Sequence, residues 1–157
     1  MLLIVAWSIA QFGETDRAVN LAERALKLNP HYPDWYNQGL SVVFFFGGQF
    51  DKAVKYRLLV KEPAALDYAF LAMANAYLGR ADDAETAAAN LKKLDHTWTA
   101  ERYLSDWGGY PEKEAELFVV GARKAGLPDC VPADKLKDMP NLIRVKSCDQ
   151  QRAKFTG

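Results

Sequence analysis

The sequence contains few residues of the types that carry catalysis or bind metals. Its 157 residues include two histidines and two cysteines. His31 and His96 both lie in segments that close pairs of predicted helices, without His, Cys or carboxylate partners at metal-ligand spacing. We interpret both as solvent-exposed loop residues. The sequence therefore predicts no catalytic residues, no metal and no cofactor, and we expect the protein not to be an enzyme.

Two further patterns resemble functional motifs only superficially. Gly47 and Gly48 are adjacent, but no Gly-Lys-Ser/Thr sequence follows and no strand precedes them, so they predict a helical-hairpin turn rather than a phosphate-binding loop. Asp82, Asp83 and Glu85 form a small acidic group at the start of a predicted helix. Carboxylates there complement the helix dipole, and we do not interpret them as a metal site.

The chain also lacks an excess of charge of either sign and lacks a long apolar run. Lys plus Arg and Asp plus Glu each total 20, so the formal net charge is zero, which removes the usual electrostatic argument for nucleic-acid or membrane binding. The apolar opening, residues 1–10, has no preceding positive residue and is too short to span a bilayer. We expect neither a nucleic-acid partner nor direct membrane insertion. Because a helix is predicted to begin at Met1 without a capping residue, we expect this sequence to be a fragment of a longer protein.

A glycine followed five positions later by an alanine recurs along the chain. The three units are Gly13/Ala18, Gly48/Ala53 and Gly79/Ala84. The glycines suit tight turns between antiparallel helices, and small residues are needed where two helices cross closely. Twelve residues before each alanine stands another small residue: Ala6, Ser41 and Ala72. This register predicts a protein built of helical hairpins.

Helical periodicity, punctuated by Gly, Pro and Asx, divides the chain into pairs of helices. The predicted pairs are 1–11 with 15–28, 33–46 with 50–61, 64–78 with 81–93, and a more divergent pair, 98–106 with 111–125. Residues 1–126 are thus predicted to form a stack of hairpins, with a truncated first unit. Residues 127–157 are predicted to be an irregular tail, with packing back on the stack as one arrangement open to it, one short helix near 133–139 and an extended stretch at 141–146.

Residues 13–30, GETDRAVNLAERALKLNP, resemble the second half of a tetratricopeptide repeat (TPR). The resemblance covers residues 1–96 with good specificity and 97–126 weakly. It implies an all-α fold, a right-handed superhelix of about three to four antiparallel helix pairs. The sequence departs from the pattern where the second unit ends early, at Pro63, and where His96 stands in place of the usual proline.

A narrower resemblance rests on FLAMANAYLGRADDA (70–84), TAERYL (99–104) and GARKAGLPD (121–129). These segments are similar to the C-terminal TPR regions of bacterial class III adenylate/guanylate cyclase-like signalling proteins. No part of a cyclase catalytic domain is present. The resemblance therefore implies a regulatory context and carries over no catalytic residue.

In a TPR stack the first helix of each pair lines the concave face. Spacing then predicts an apolar groove for a peptide or partner, formed by Leu3, Trp7, Trp35, Gln38, Val42, Phe45, Phe46, Leu66, Ala69, Met73 and Tyr77. TPR grooves that bind a C-terminal carboxylate use Lys, Arg and Asn at such positions, and these are absent here. Packing between repeats is the alternative role for each of these residues.

So large an apolar surface rarely stays open to water. The candidates to cover it are this chain's own tail through Leu142, Ile143 and Val145, a partner's helix or peptide, and a second copy of this protein. A separate aromatic group is predicted to cap the stack rather than to bind a carbohydrate, and comprises Trp98, Tyr103, Trp107 and Tyr110.

Cys130 and Cys148 both lie in the tail. A disulfide between them would restrain loose chain and contribute roughly 3 kcal/mol, and it would favour an oxidising compartment such as the periplasm. Two reduced thiols in a cytoplasmic protein are the alternative.

The function predicted from the sequence is a non-catalytic protein- or peptide-binding scaffold. The alternatives are the regulatory or sensory region of a cyclase-type signalling protein, or a self-associating module.

Overall fold

The structure, a computed structural model, describes residues 1–155, and all regular secondary structure in that range is helical. The all-α prediction is confirmed. Four helical hairpins come first, and a short 3-10 helix and a last α-helix follow. The elements are α1 (Leu2–Gln11), α2 (Thr15–Leu28), α3 (Tyr36–Phe46), α4 (Phe50–Arg57), α5 (Ala65–Tyr77), α6 (Ala81–Leu94), α7 (Ala100–Asp106), α8 (Glu112–Lys124), the 3-10 helix (Ala133–Asp138) and α9 (Lys146–Phe155).

The first three hairpin turns have the same geometry. Gly13, Gly48 and Gly79 have φ angles of 91°, 71° and 73°, in the left-handed region that residues with a Cβ avoid. The residue after each glycine donates its backbone N–H to a carbonyl five residues earlier, at 3.1 Å, 2.8 Å and 2.9 Å. This hydrogen bond closes the helix end in the manner of a Schellman motif and turns the chain back on itself.

Small residues lie where the two helices of each hairpin cross. Ala6, Ser41 and Ala72 on the first helices, and their partners Ala18, Ala53 and Ala84 on the second, are all buried. In the second hairpin the contact is also polar, because the Ser41 hydroxyl donates to the carbonyl of Ala53 at 2.9 Å. The recurring register therefore coincides with both the turns and the close crossings.

Helix α4 is shorter than the sequence indicated. Periodicity predicted a helix to residue 61, but α4 ends at Arg57, whereas α2 and α6 each have 14 residues. Beyond Arg57 the chain tightens into three-residue turns, with Leu59 N–H donating to Tyr56 and Val60 N–H donating to Arg57. Pro63 disfavours helical geometry in Glu62, the residue before it, and so limits the helix to residue 61; the earlier end at Arg57 coincides with these turns.

The fourth hairpin does not simply extend the row. Helix α8 packs against α5 and reaches α3, so it crosses hairpins that come much earlier in the sequence. The tail then packs beside α7 and α8. We expected this tail to be irregular, but Lys146–Phe155 forms the ten-residue helix α9. Its sequence has little apolar periodicity. Contacts to distant residues, rather than an amphipathic face, hold this helix in place.

Candidate functional site

The predicted groove residues lie on or beside the first helices of three hairpins, α1, α3 and α5. We call the surface that α3 and α5 turn toward α8 the inner face; Leu3 and Trp7 of α1 lie instead against Gly39 of α3. The sequence-predicted residues differ in exposure. Trp35 is exposed, Trp7, Gln38, Leu66 and Tyr77 are half-buried, and Leu3, Val42, Phe45, Phe46, Ala69 and Met73 are buried.

An aromatic side chain of α8 is inserted into the centre of the inner face. Phe118 is fully buried, and its ring centroid lies 6.2 Å from that of Phe45 and 6.5 Å from that of Phe46, both on α3. The ring of Phe70, on α5, meets it edge-on at 5.4 Å. Offset and edge-on arrangements of this kind are favourable for aromatic rings. Phe118 therefore joins α8 to two hairpins at once.

The two ends of α8 lie against different hairpins. Near its start, the Glu114 carboxylate lies 3.6 Å from where a Cβ on Gly13 would stand. Near its end, a Cβ on Gly121 would stand 2.9 Å from the Tyr77 ring and 3.3 Å from Met73. The helix thus runs from the turn of the first hairpin to the end of α5, and only glycine permits its close approach there.

A hydrogen bond between the two helices holds α8 in position against α5. The Tyr77 hydroxyl donates to the carbonyl of Leu117 at 2.6 Å. Burial raises the pKa of Tyr77 to about 12, so its hydroxyl keeps its proton and remains a donor well into the alkaline range. This bond uses the backbone of α8, and it does not depend on the identity of residue 117.

The aromatic group of the fourth hairpin covers Phe118. Tyr103 stacks on Phe118 at 5.1 Å, Trp98 lies 6.2 Å from it, and Tyr110 stacks on Phe46 at 5.8 Å. Burial raises the pKa of Tyr103 and raises that of Tyr110 to about 12. Trp107 remains exposed. Three of the four rings therefore contribute to the covered surface.

Beneath the aromatic residues is a buried ion pair that sequence reasoning missed. The Arg57 guanidinium, from α4, pairs with the Asp67 carboxylate of α5, donates to the Ser41 hydroxyl at 2.9 Å, and lies 4.8 Å from the Phe70 ring centroid. Burial lowers the pKa of Arg57, whereas the nearby Asp67 acts in the opposite direction.

Asp67 has a second role at the start of α5. It accepts the backbone N–H of Ala64 at 2.8 Å and the Gln38 side-chain amide at 3.3 Å. One carboxylate therefore caps α5 and connects it to both α3 and α4. Ser41 was the available signal in the sequence, since it is the only polar residue among the six at the predicted crossings.

The tail is fastened through one carboxylate of α7. Glu101 is fully buried and accepts the backbone N–H groups of Val131 at 2.9 Å and Val145 at 3.1 Å. Arg152, on α9, donates to both of its oxygens at 2.7 Å and 2.9 Å. The side chain of Glu101 thus holds three separate segments of the tail against α7.

Cys130 and Cys148 are joined by a disulfide, with their Cα atoms 5.4 Å apart. Ligand atoms of these cysteines and of Glu101 all lie within 4.8 Å of one another, which is a spacing compatible with a metal site. In this oxidised form the sulfur atoms bond to each other and are not thiolates, and both Glu101 oxygens accept hydrogen bonds. This arrangement of Glu101 and the disulfide is therefore a structural link that holds the tail, rather than a metal site.

Two of the three tail residues predicted as possible groove occupants, Ile143 and Val145, lie against the fourth hairpin. Val145 is buried against α7, where its N–H donates to Glu101, and Ile143 lies beside Gly109, where an added Cβ would stand 3.1 Å from the isoleucine side chain. The Ile143 N–H also donates to the Ser105 hydroxyl at 2.8 Å. The element on the inner face is α8.

The remaining candidates for chemistry are on the surface. His31 and His96 are exposed in turns. Asp82 and Asp83 occupy the first turn of α6, as expected for dipole complementation. None of the helices in residues 1–155 has the length and apolar character needed to cross a membrane.

Comparisons with known proteins do not identify a family. No family model, curated protein or solved structure matches this chain.

Proposed function

We propose that this protein is a non-catalytic, protein-binding scaffold of the TPR type, with the inner face as the concave groove of a right-handed superhelix. In this proposal the groove binds an amphipathic helix, and α8 occupies it as an internal ligand. The observation that supports it best is the position of Phe118 among Phe45, Phe46 and Phe70. A partner helix would bind by exchanging with α8.

The contacts of α8 indicate what such a partner would need. Phe118 fills the aromatic centre, and Gly121, three residues later, allows the close approach to Tyr77 and Met73. Residues three apart lie on the same side of a helix. The proposed ligand is therefore an amphipathic helix with an aromatic residue followed, three positions later, by a small one. The Tyr77 hydroxyl would donate a hydrogen bond to a backbone carbonyl of the ligand helix, whatever the sequence of that helix.

A labelled synthetic peptide of residues 110–127 tests this proposal. In the wild-type chain α8 competes with the peptide, so apparent affinity is reduced by the small fraction of open molecules. Gly121→Val in the full chain would push α8 away from Tyr77, and Phe118→Ala would remove its anchor. We expect either variant to bind the peptide at least about ten-fold more tightly than wild type.

The control peptide carries Phe118→Ala and is expected not to bind. Circular dichroism identifies which protein variant remains helical, and the two variants weaken α8 by different means, so that one misfolded variant does not end the test. If a folded variant binds the peptide no better than wild type does, the inner face is core and the proposal is wrong.

We also propose that the protein works in an oxidising compartment. The Cys130–Cys148 bond supports this, because disulfides persist in oxidising environments and are rare in the cytosol. Fractionation of cells that express the tagged natural protein, read by immunoblot, tests the compartment directly. Recovery with cytosolic markers would contradict it.

A further inference from the structure

A cleft of about 270 Å³ opens between α4, α5 and α6. Val54 and Leu58 line it from α4 and from the position after that helix, and Asn75 lines it from α5. Asn75 is almost fully buried, with 3% of its surface exposed, and its Oδ1 atom has no hydrogen-bond partner within residues 1–155. Because buried polar atoms in folded proteins nearly always have a partner, this acceptor indicates a ligand that donates a hydrogen bond.

The corresponding place in the second hairpin is filled by two stacked aromatic rings. When the second and third hairpins are aligned on their turn glycines, Phe44 corresponds to Asn75 and Tyr56 corresponds to Ala87. The rings of Phe44 and Tyr56 stack with their centroids 5.5 Å apart. Asn75 and Ala87 both line the cleft. The third hairpin thus has a cleft where the second has a pair of rings.

The charge beside this place is reversed between the two hairpins. Lys52 Nζ lies 5.0 Å from the centroid of the Phe44 ring, and the residue that corresponds to Lys52 is Asp83, which lines the cleft. The other charged residue of the lining, Arg80, pairs with Asp51 at 2.6 Å. A ligand that donates a hydrogen bond therefore suits this wall better than an anion does.

The size of the cleft is suited to a small ring system. Apolar cavities of about 150 Å³ hold benzene, and sites for drug-sized molecules begin at about 300 Å³. At about 270 Å³, this cleft has room for one ring or two fused rings. Tyr68 and Leu71 are half-buried along its α5 wall and offer apolar surface to the faces of such a ring.

We propose that this cleft binds a planar aromatic ring that carries an N–H group, which donates to Oδ1 of Asn75. The ring takes the place that Phe44 and Tyr56 fill in the second hairpin. Free indole and the tryptophan side chain of a peptide share this chemistry. The lining belongs to α4, α5, α6 and the positions beside them, so this site is separate from the inner face and does not depend on the proposed function.

Heteronuclear NMR of the wild-type chain, with amide chemical shifts followed as a probe is added, tests this site. The probes are indole, benzofuran and N-acetyl-tryptophanamide. Benzofuran has the shape of indole with an oxygen in place of the N–H group. We expect indole to shift the Ala87 amide signal saturably and to bind about ten-fold more tightly than benzofuran.

The third probe distinguishes the two sources of the ring. Saturable binding of N-acetyl-tryptophanamide at Ala87 supports a tryptophan side chain as the ligand, and binding of indole alone supports a free molecule. The proposal is overturned if neither of these two probes shifts the Ala87 signal saturably, or if benzofuran binds as tightly as indole.

Two variants test the hydrogen bond and the space separately. Asn75→Ala removes an acceptor that has no partner, so it should fold normally and should bind indole and benzofuran equally. Ala87→Phe places a ring where the second hairpin has Tyr56 and should bind neither probe. Asn20→Ala, which changes an exposed asparagine of α2, is the control and should bind as wild type does. Circular dichroism verifies the fold of each variant, and a folded Asn75→Ala protein that still prefers indole overturns the role of Asn75.

Discussion

Arg152 of α9 forms a two-pronged ion pair with Glu101 of α7, across 51 residues of sequence, at 2.7 Å and 2.9 Å. Hydrogen bonds to Glu101 raise the pKa of Arg152. Because Glu101 also accepts two backbone N–H groups from the tail, the pair lies at the centre of a network. One carboxylate far from α9 in sequence therefore helps to fix its position, together with the disulfide through Cys148.

Glu101→Gln should destabilise the protein by about 3 kcal/mol or more, because it leaves a largely buried guanidinium without its main counter-charge. Urea unfolding followed by circular dichroism measures the loss. Glu112→Gln is the control. Glu112 pairs with Lys146 at 3.2 Å on the surface, and such exposed pairs contribute about 0–1 kcal/mol. Equal losses in the two variants would contradict a central role for Glu101.

Reduction of the Cys130–Cys148 bond should lower the free energy of unfolding by roughly 3 kcal/mol, because a closed loop of this length restricts the unfolded chain. Thiol titration of the denatured, unreduced protein should find no free thiol, and two after reduction. The double variant Cys130→Ser/Cys148→Ser should be less stable and insensitive to reductant. Two free thiols before reduction would contradict the bond.

Local signals made much of the fold predictable. The turn glycines and the small residues at the crossings act within one hairpin, so their spacing appears directly in the sequence. Gly48 and Ala53, for example, predicted both a turn and a close helix crossing, and the structure has both. The helices that precede Gly13, Gly48 and Gly79 likewise end close to their predicted positions, whereas α4, before Pro63, ends early, at Arg57.

Contacts between distant segments were not predictable in the same way. Helix α8 covers the inner face through Phe118. In the sequence, Phe118 is one of several apolar residues of an amphipathic helix, and nothing marks it as the residue that makes this contact. The helix α9 depends on Glu101 and Arg152, and neither residue shows in the local pattern that its partner lies 51 residues away. Sequence periodicity identifies which side of a helix is buried, but it does not identify the helix that covers it.

Gly48→Ala should cost about 1–2 kcal/mol, because alanine would have to adopt the left-handed conformation at φ 71°. No atom lies within 4 Å of the position of the added Cβ, so the cost is one of backbone conformation alone. Gly48→Asn should cost less, since asparagine tolerates this region better. Thermal unfolding of the three proteins checks the order. A Gly48→Ala protein as stable as wild type would contradict the positive φ of the turn.

Tyr77 should make stability fall at alkaline pH. Its pKa is about 12 in the folded protein, against about 10 for an unperturbed tyrosine. Between these values the unfolded chain loses the proton while the folded chain keeps it, so stability is fully present below about pH 10 and declines as pH rises toward 12. In Tyr77→Phe this part of the decline should disappear, and stability at neutral pH should drop by about 1 kcal/mol with the lost hydrogen bond to Leu117. Urea midpoints across this pH range measure both effects.

Tyr32→Phe is the control, because it changes another partly buried tyrosine that lies away from α8. The same alkaline profile in wild type and in Tyr77→Phe would contradict a buried, protonated Tyr77 hydroxyl.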